Sequence, residues 1–510
     1  MTLVSSVLEN FKAKATGTLV IIVLYFVAYA VRNIYFHPLS KYPGPKLWAA
    51  TRFRYLLSIW SGNLHTDVQQ LHQRYGEIVR VAPDEISFAR PDAWHDVYSN
   101  APGHPAFPKS KLWHGQAPGR PMSILNALDR NSHSRFRRAM EPGFTERALR
   151  FQEPLIQTYT DMLITALDKF VSQSSDGAVI NVVQWFGFTI FDLIGDLAFG
   201  ESFECLGNSK FHPWVALIFN SLKAATLAAS LRYYPSIDWL LRLAIPKSVM
   251  QKQKEHWQLA VDKVNRRLNT EKERPDIISM IKLDENRVDG ISIPELQATA
   301  SVIIVAGSET TVSVLTGMTN YLVRNPKVLA RLTAEIRSTF KLEKDMSLSA
   351  LKEVPYLNAV IQEGLRLCNP TPVGLPRIVP PGGGTVCGHQ LPEGTFVNVH
   401  PLALSRSPEM FHDPHGFHPE RWLNIDPRFS GDKHEAVQTF GVGPRSCIGK
   451  PLAWAEMRLV LARMVWRFEL QMADTEAGRV EWDDQKVFSV VQRKPFEVRL
   501  NLREGVPSIS

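Results

Sequence analysis

Apolar positions recur at helical spacing along most of the chain. Leu149–Val171, Ile180–Leu197, Phe211–Ala229 and Lys247–Asn269 each carry an apolar stripe of 3.6-residue period and predict helices. The longest pattern opens at Ser292-Ile293-Pro294-Glu295. Ser292 is the expected N-cap, Pro294 suits the first turn, and Glu295 closes a capping box. The pattern stops at Asn325-Pro326 after about 30 residues, a rod of roughly 46 Å at 1.5 Å per residue, long enough to cross a whole molecule. Short strands are predicted at Ile78–Val81, Glu85–Phe88, Thr385–Val386 and Phe396–Val399. Residues Asn369 to Arg421 are rich in Pro, Gly and His and show few periodic runs. No fixed-period repeat and no low-complexity linker divides the chain, so the pattern predicts a mainly α domain with a minor β part.

A different pattern occupies the N-terminus. Thr18–Val31 reads TLVIIVLYFVAYAV without a charge, and Ile34-Tyr35-Phe36 extend it past Arg32 and Asn33. Roughly 20 apolar residues span a bilayer as a helix. Arg32 can snorkel, and Tyr25, Tyr29 and Tyr35 suit an interface. No small-x-small cleavage site follows, which disfavours a removed signal peptide. Residues 18–36 are therefore expected to form a single transmembrane anchor, after a lumenal segment at 1–17. Cations are denser after the span (Arg32, Lys41, Lys46, Arg52, Arg54) than before it (Lys12, Lys14), which leaves residues 47–510 in the cytosol. Pro38, Pro43 and Pro45 make 37–46 a stiff, non-helical hinge.

Composition narrows the class. The chain is 45% hydrophobic and 21% charged, which supports a large core and excludes a disordered protein. The formal charge of +8 fits an acidic partner or an anionic membrane surface; with no long Lys/Arg run and no zinc spacing, no nucleic-acid partner is expected. The four cysteines, Cys205, Cys368, Cys387 and Cys447, include no CxxC pair, so neither a disulfide framework nor a structural zinc site is expected. The bulk of the chain reads as facing a reducing compartment.

One cysteine sits in an unusual place. Phe440–Gly449 reads FGVGPRSCIG, a loop of glycines, a proline and an arginine around Cys447. A thiolate can serve as an axial ligand to haem iron, where it favours O–O cleavage. It needs a small-residue loop and N–H groups aimed at the sulfur. Gly443 and Gly449 can supply the space, Phe440 can pack beside the sulfur, and Arg445 can meet a carboxylate bidentately. The helix expected from Pro451 onward adds a favourable dipole. The competing reading, a buried cysteine in a tight turn, would suffice for Cys447 alone but not for the whole pattern.

The loop resembles the haem-binding motif of cytochrome P-450 monooxygenases. Ala306-Gly307-Ser308-Glu309-Thr310-Thr311, mid-way along the long helix, resembles the family's oxygen-activation motif. Glu363-Gly364-Leu365-Arg366 resembles its E-x-x-R helix, and Pro419-Glu420-Arg421-Trp422 its P-E-R segment. E-x-x-R alone would be ordinary helix decoration; four motifs in order are not. HPLSKYPGPKLWA, HSRFRRAMEPGFTERALRFQEPLI and FTIFDLIGDLAFGESFECL are similar to the filamentous-fungal branch that contains isotrichodermin C-15 hydroxylase.

The resemblance implies the cytochrome P-450 fold, one large helical haem domain with small β-sheets. It implies haem b with Cys447 as the metal ligand. Arg137, Arg377 and Arg445 are the implied propionate partners, with His133 where the family usually has tryptophan. Histidine can donate to a carboxylate; the alternative is an ordinary surface histidine. Thr310, hydrogen-bonded to the Ala306 carbonyl, would open the helix beside Gly307 and steer a proton during oxygen activation, with Glu309 linking it to solvent. Glu363, Arg366 and Arg421 are expected to form a buried structural ion cluster. Leu112, Trp113, Ile303, Ala306, Leu375 and Val490 are candidate pocket walls, from Pro102–Leu128, Phe211–Leu243, the long helix, Val373–Leu375 and Phe488–Val491. The implied function is oxidation of a hydrophobic small molecule, a terpenoid or polyketide secondary metabolite. Electrons come from NADPH through the flavins of NADPH–cytochrome P-450 reductase, at the endoplasmic reticulum membrane and in contact with its lipid. Two alternatives stay open: a haem-thiolate isomerase, dehydratase or peroxygenase without NADPH, and a non-enzymatic haem-binding membrane protein.

Overall fold

The computed structural model describes residues 2–100, 105–116, 119–174, 176–235, 247–270 and 274–505. Its axis is the helix Ile293–Arg324, which starts where the sequence predicts: the Glu295 carboxylate accepts the Ser292 backbone N–H at 3.0 Å. Leu296, Ile304, Val312, Leu315 and Met318 bury its apolar side in the main core. Helix Val182–Phe199 packs against it, and a side chain at Gly307 would meet Ile194 at 3.1 Å. Both helices are long and apolar enough to cross a membrane, but most of each is buried inside the globule, so they are core elements. Helices Glu146–Ser172, Lys247–Leu268, Pro355–Leu367 and Lys450–Arg467 surround them.

The β part is small. Ile78–Ala82, Glu85–Phe88, Phe396–Val399 and Arg377–Ile378 form one sheet in that order, with Glu85–Phe88 and Phe396–Val399 parallel. Gly384–Val386 pairs with His389–Leu391, and Lys486–Phe488 with Val490–Gln492. A further sheet, Ala178–Asn181, Glu497–Leu502 and Phe468–Met472, corrects the expected helix from Ile180. Ile180 is a strand residue paired with Val498, and the Asn181 side chain accepts the N–H groups of Val183 and Gln184. That cap moves the helix start to Val182.

Glu363, Arg366 and Arg421 come together as expected and are essentially inaccessible to solvent. Arg366 grips Glu363 through both carboxylate oxygens, at 2.7 and 2.9 Å, and also donates to the carbonyls of Ser405, Pro414 and Gly416. Arg421 reaches Glu363 at 3.1 Å and pairs with Asp432. The His418 N–H and the Trp422 indole complete the carboxylate's partners. Burial alone would raise the Glu363 carboxyl; Arg366 and Arg421 outweigh it and hold it below its ordinary value. Every lone pair on this buried charge has a donor, and removing one partner from such a pair costs about 3–5 kcal/mol. The cluster ties the loop 405–421 to helix Pro355–Leu367.

The N-terminal segment differs from expectation in two ways. The helix runs from Thr2 to Val31 without a break at Thr18, and a π-turn follows at Arg32–Phe36; the apolar span is Asn10–Phe36 and is almost wholly exposed. The expected hinge at 37–46 is a packed strap. Leu39 and Tyr42 are buried, and the Arg80 N–H donates to the Pro43 carbonyl at 2.8 Å. A side chain at Gly44 would fall 2.4 Å from the Arg80 carbonyl oxygen, so only glycine permits that approach. Asn33 is buried, donates to the Ala50 carbonyl at 3.0 Å, and accepts from the Arg80 guanidinium on its own carbonyl at 2.9 Å. Deleting residues 1–31 should therefore leave the denaturation midpoint of the globule unchanged. Deleting 1–36 should lower stability by about 1–3 kcal/mol, the cost of leaving buried polar groups unpaired. Equal midpoints for the two truncations would show that the Asn33 contacts contribute nothing.

Candidate active site

The cysteine loop is closed by its own backbone. The Cys447 N–H donates to the Phe440 carbonyl at 2.8 Å, and the Ser446 N–H to the Gly443 carbonyl at 3.0 Å. Gly443 has φ +74°, and a side chain there would lie 2.1 Å from the Tyr98 carbonyl oxygen. Its small size admits the Tyr98–Ser99 backbone, where the sequence suggested room for a porphyrin. Gly449 is the glycine on the sulfur side: a side chain there would touch only the Cys447 sulfur, at 3.9 Å. Helix Lys450–Arg467 begins at the next residue. Cys447 is accessible by area yet lies among dense protein, so the sulfur faces a recess. Burial pushes its thiol up, while the N–H groups of Gly449 and Lys450 and the charge of Arg137 pull it down.

The expected propionate partners gather on one side of this loop. His133 is buried, which removes the surface-histidine alternative. Arg377 is buried and donates to the Phe107 carbonyl at 2.9 Å. Arg445 holds the loop before helix Arg130–Met140, donating to the carbonyls of Ala127 and Leu128 at 2.8 and 2.6 Å. Arg137 donates to the Ser446 carbonyl at 2.7 Å, beside the cysteine. Sequence reasoning missed Lys109 and His114, which complete the cluster; the only signal was a lysine inside the apolar-flanked Phe107-Pro108-Lys109 run.

These groups depress one another. Lys109 falls to about 7, through burial first and then Arg445 and Arg377. His114 falls to about 3 through burial, Lys109 and Arg377. His133 falls to about 4 through burial, Arg445 and Lys109. Among the described residues the carboxylate acting on Arg445 is Asp129, and its oxygen already caps the helix by accepting the Ser132 N–H. The His114 Nδ1 is buried without a hydrogen-bond partner among the described residues. Arg137, Arg377, Arg445 and Lys109, gathered with two neutral histidine rings, an orphaned ring nitrogen and a thiol beside them, fit a haem: two carboxylates for the cations and an iron for the sulfur.

The central helix supplies the other groups. The Thr310 hydroxyl donates to the Ala306 carbonyl at 2.7 Å, the back-bond expected from the sequence. Glu309, expected to link Thr310 to solvent, does not itself face it. It is buried, and Arg493 donates to its carboxylate at 2.8 Å, to its carbonyl at 2.8 Å and to the Ser313 hydroxyl at 2.7 Å. Burial raises the Glu309 carboxyl and Arg493 opposes the shift; Glu309 Oε1 has no hydrogen-bond partner among the described residues. Arg493, in a strand-rich C-terminal segment, gave no signal in the sequence. Neither did Glu456, a buried acid on the helix after Cys447 that is pushed up to about 8 by burial, with Thr311 opposing.

Among the candidate pocket walls, Ile303 is buried, Ala306 and Leu375 are accessible, and Leu112, Trp113 and Val490 are half-buried. The Trp113 indole donates to the Tyr233 hydroxyl at 2.7 Å, and Arg232 to the Leu112 carbonyl at 3.0 Å. Parts of the expected walls, at 102–104, 117–118 and 236–243, lie outside the described residues.

Comparison with known proteins agrees with this geometry. A family model for cytochrome P450 matches residues 42–499. The cytochrome P450 monooxygenase efuB of Hormonema carpetanum is 38% identical over 497 residues, covering 97% of each chain. The trichothecene C-15 hydroxylase of Fusarium sporotrichioides is 40% identical over 93% of this chain and 96% of its own. The averantin hydroxylase of Dothistroma septosporum is 38% identical over 98% and 93%. A match that runs from the strap after the anchor to the last strand, and includes each motif around Cys447, shows that the protein belongs to the cytochrome P450 family and is a monooxygenase of it.

Proposed function

We propose that Cys447 is the axial thiolate of a haem b, and that the chain hydroxylates a hydrophobic secondary metabolite with electrons from NADPH–cytochrome P-450 reductase. The observation that carries this reading is the Cys447 loop, closed by the Cys447 N–H on the Phe440 carbonyl, with the sulfur beside Gly449 at the start of helix Lys450–Arg467. The hydroxylase names of the trichothecene and averantin relatives support a terpenoid or polyketide substrate. The exposed apolar helix supports a single-pass anchor at 18–36 within the span Asn10–Phe36, with 1–17 lumenal and 47–510 cytosolic at the endoplasmic reticulum.

Haem, when bound, supplies dioxygen activation at its iron. The chain's residues do the rest. Arg377 and Lys109 would hold the two carboxylates as cations, with the neutral His114 and His133 rings as donors, and binding them relieves the repulsion that Arg445 and Arg377 exert on Lys109. Arg137 and Arg445, anchored on backbone carbonyls, fix the loop and add charge from the same side. Thr310 has its hydroxyl fixed by the Ala306 carbonyl, so its oxygen is free to accept and relay a proton. Glu309, buried beside Arg493, keeps one carboxylate oxygen without a hydrogen-bond partner among the described residues and is the next group in that path. Glu363, Arg366 and Arg421 act on the fold alone.

Cys447→Ala should abolish the strongly red-shifted Soret band of the ferrous–CO complex, while Cys205→Ala, Cys368→Ala and Cys387→Ala keep it. Retention of that band in Cys447→Ala would end the ligand assignment. With reductase and NADPH, Thr310→Ala and Thr310→Val should still consume NADPH but divert it to hydrogen peroxide, lowering product per NADPH about tenfold or more. Serine at 310 should be mildest. An unchanged peroxide-to-NADPH ratio in both variants would return Thr310 to a packing role.

A further inference from the structure

A cavity of about 140 Å³ lies where the anchor helix meets the globule. Tyr29, Arg32 and His37 line it from the anchor side, and Arg52, Asp84 and Tyr234 from the globule. Its shape is held by Asn33, the residue locked to Ala50 and Arg80. Two of its charges are already satisfied: Arg52 pairs with Asp84 and with Glu85, and its guanidinium lies 4.1 Å from the Tyr233 ring. Arg32 is different. It is exposed and has no ion pair or hydrogen bond among the described residues.

The field in the cavity is positive. His37 is lowered by burial and then by Arg80 and Arg32, with only Asp84 opposing. The Tyr29 and Tyr234 hydroxyls add neutral donors; Tyr234 lies 3.4 Å from the Thr51 hydroxyl. Depth completes the description. Tyr29 and Arg32 belong to the last turns of the apolar span Asn10–Phe36, the level at which phospholipid headgroups lie. Apolar side chains of the same helix, such as Ile21 and Tyr25, are exposed above it.

We propose that this cavity binds the phosphate of an anionic glycerophospholipid, with Arg32 as its ion partner, Tyr29 and Tyr234 as hydroxyl donors, and the acyl chains lying along the anchor helix. The shared chemistry is a phosphate anion, and the source assigned is the lipid rather than soluble phosphate, because the donors sit at the end of a membrane span. The proposal rests on reading the span as a membrane anchor.

The test uses the full chain with haem, reconstituted into phosphatidylcholine vesicles that contain a minor share of phosphatidic acid. Flotation with the vesicles checks the anchor separately; failure to float overturns the anchor and this site together. The protein is then extracted in mild detergent, and its retained lipids are counted by native mass spectrometry. Phosphatidic acid should be enriched over phosphatidylcholine. Arg32→Gln should cut that enrichment about fivefold, the contribution of one interfacial cation, with the ferrous–CO band intact. Lys46→Gln removes a cation that rests on the Tyr35 ring outside the cavity, and should leave the enrichment unchanged. Flotation without enrichment, or equal loss in the two variants, overturns the site while leaving the anchor in place. Release of the lipid by millimolar inorganic phosphate overturns the lipid assignment.

Discussion

An anionic sulfur inside a protein must be given donors before it can be held, because burial alone keeps the proton on. The segment around Cys447 is built to meet that requirement. Its turn closes on the Phe440 carbonyl, the nearby N–H groups of Gly449 and Lys450 and the charge of Arg137 favour the thiolate, and a helix begins there. Much of the rest of the fold keeps the turn in place. Gly443 lets the Tyr98 carbonyl press against it, Arg137 holds the Ser446 carbonyl, and Arg445 ties it to Ala127 and Leu128. Each of these contacts joins residues far apart in the chain, so the site forms only when the helical core and the small sheets have docked.

Charge is distributed in two contrasting ways. At Glu363 the acid and its arginines satisfy one another fully, and the cluster needs nothing further. Around His133 the arginines Arg137, Arg377 and Arg445 gather, with Asp129 acting on Arg445, and Lys109, His114 and His133 are all held below their ordinary values. The first arrangement is a structural clamp; the second is a receptor for negative charge. The same contrast separates Arg52, which is paired, from Arg32, which has no partner among the described residues, at the junction with the N-terminal helix.

Much of this was legible in the sequence, because the legible parts rest on local pattern. The capping box at Ser292-Glu295 placed the central helix, and strands Glu85–Phe88 and Phe396–Val399 were read from their apolar runs. The cysteine loop and E-x-x-R helix were visible because loop chemistry and ligand chemistry constrain neighbouring residues. What escaped depends on distant pairing. Strand Ala178–Asn181 carries a helical-looking pattern and is made a strand by Glu497–Leu502. The burial of Glu309 against Arg493 escaped because nothing local announces a partner 184 positions away. The strap at 37–46 looked like a hinge because its prolines are local, whereas its packing partner is Arg80.

The central claim is that the cations beside Cys447 are a receptor for the two carboxylates of haem. The direct measurement is the affinity of the haem-free protein for haem and for haem dimethyl ester, which keeps the ring and iron but carries no carboxylate charge. Each charge-assisted hydrogen bond lost costs about 1.5–3 kcal/mol, so the ester should bind about a hundredfold more weakly or worse, and Lys109→Ala should weaken haem far more than it weakens the ester. Equal affinity for haem and its ester would contradict the account.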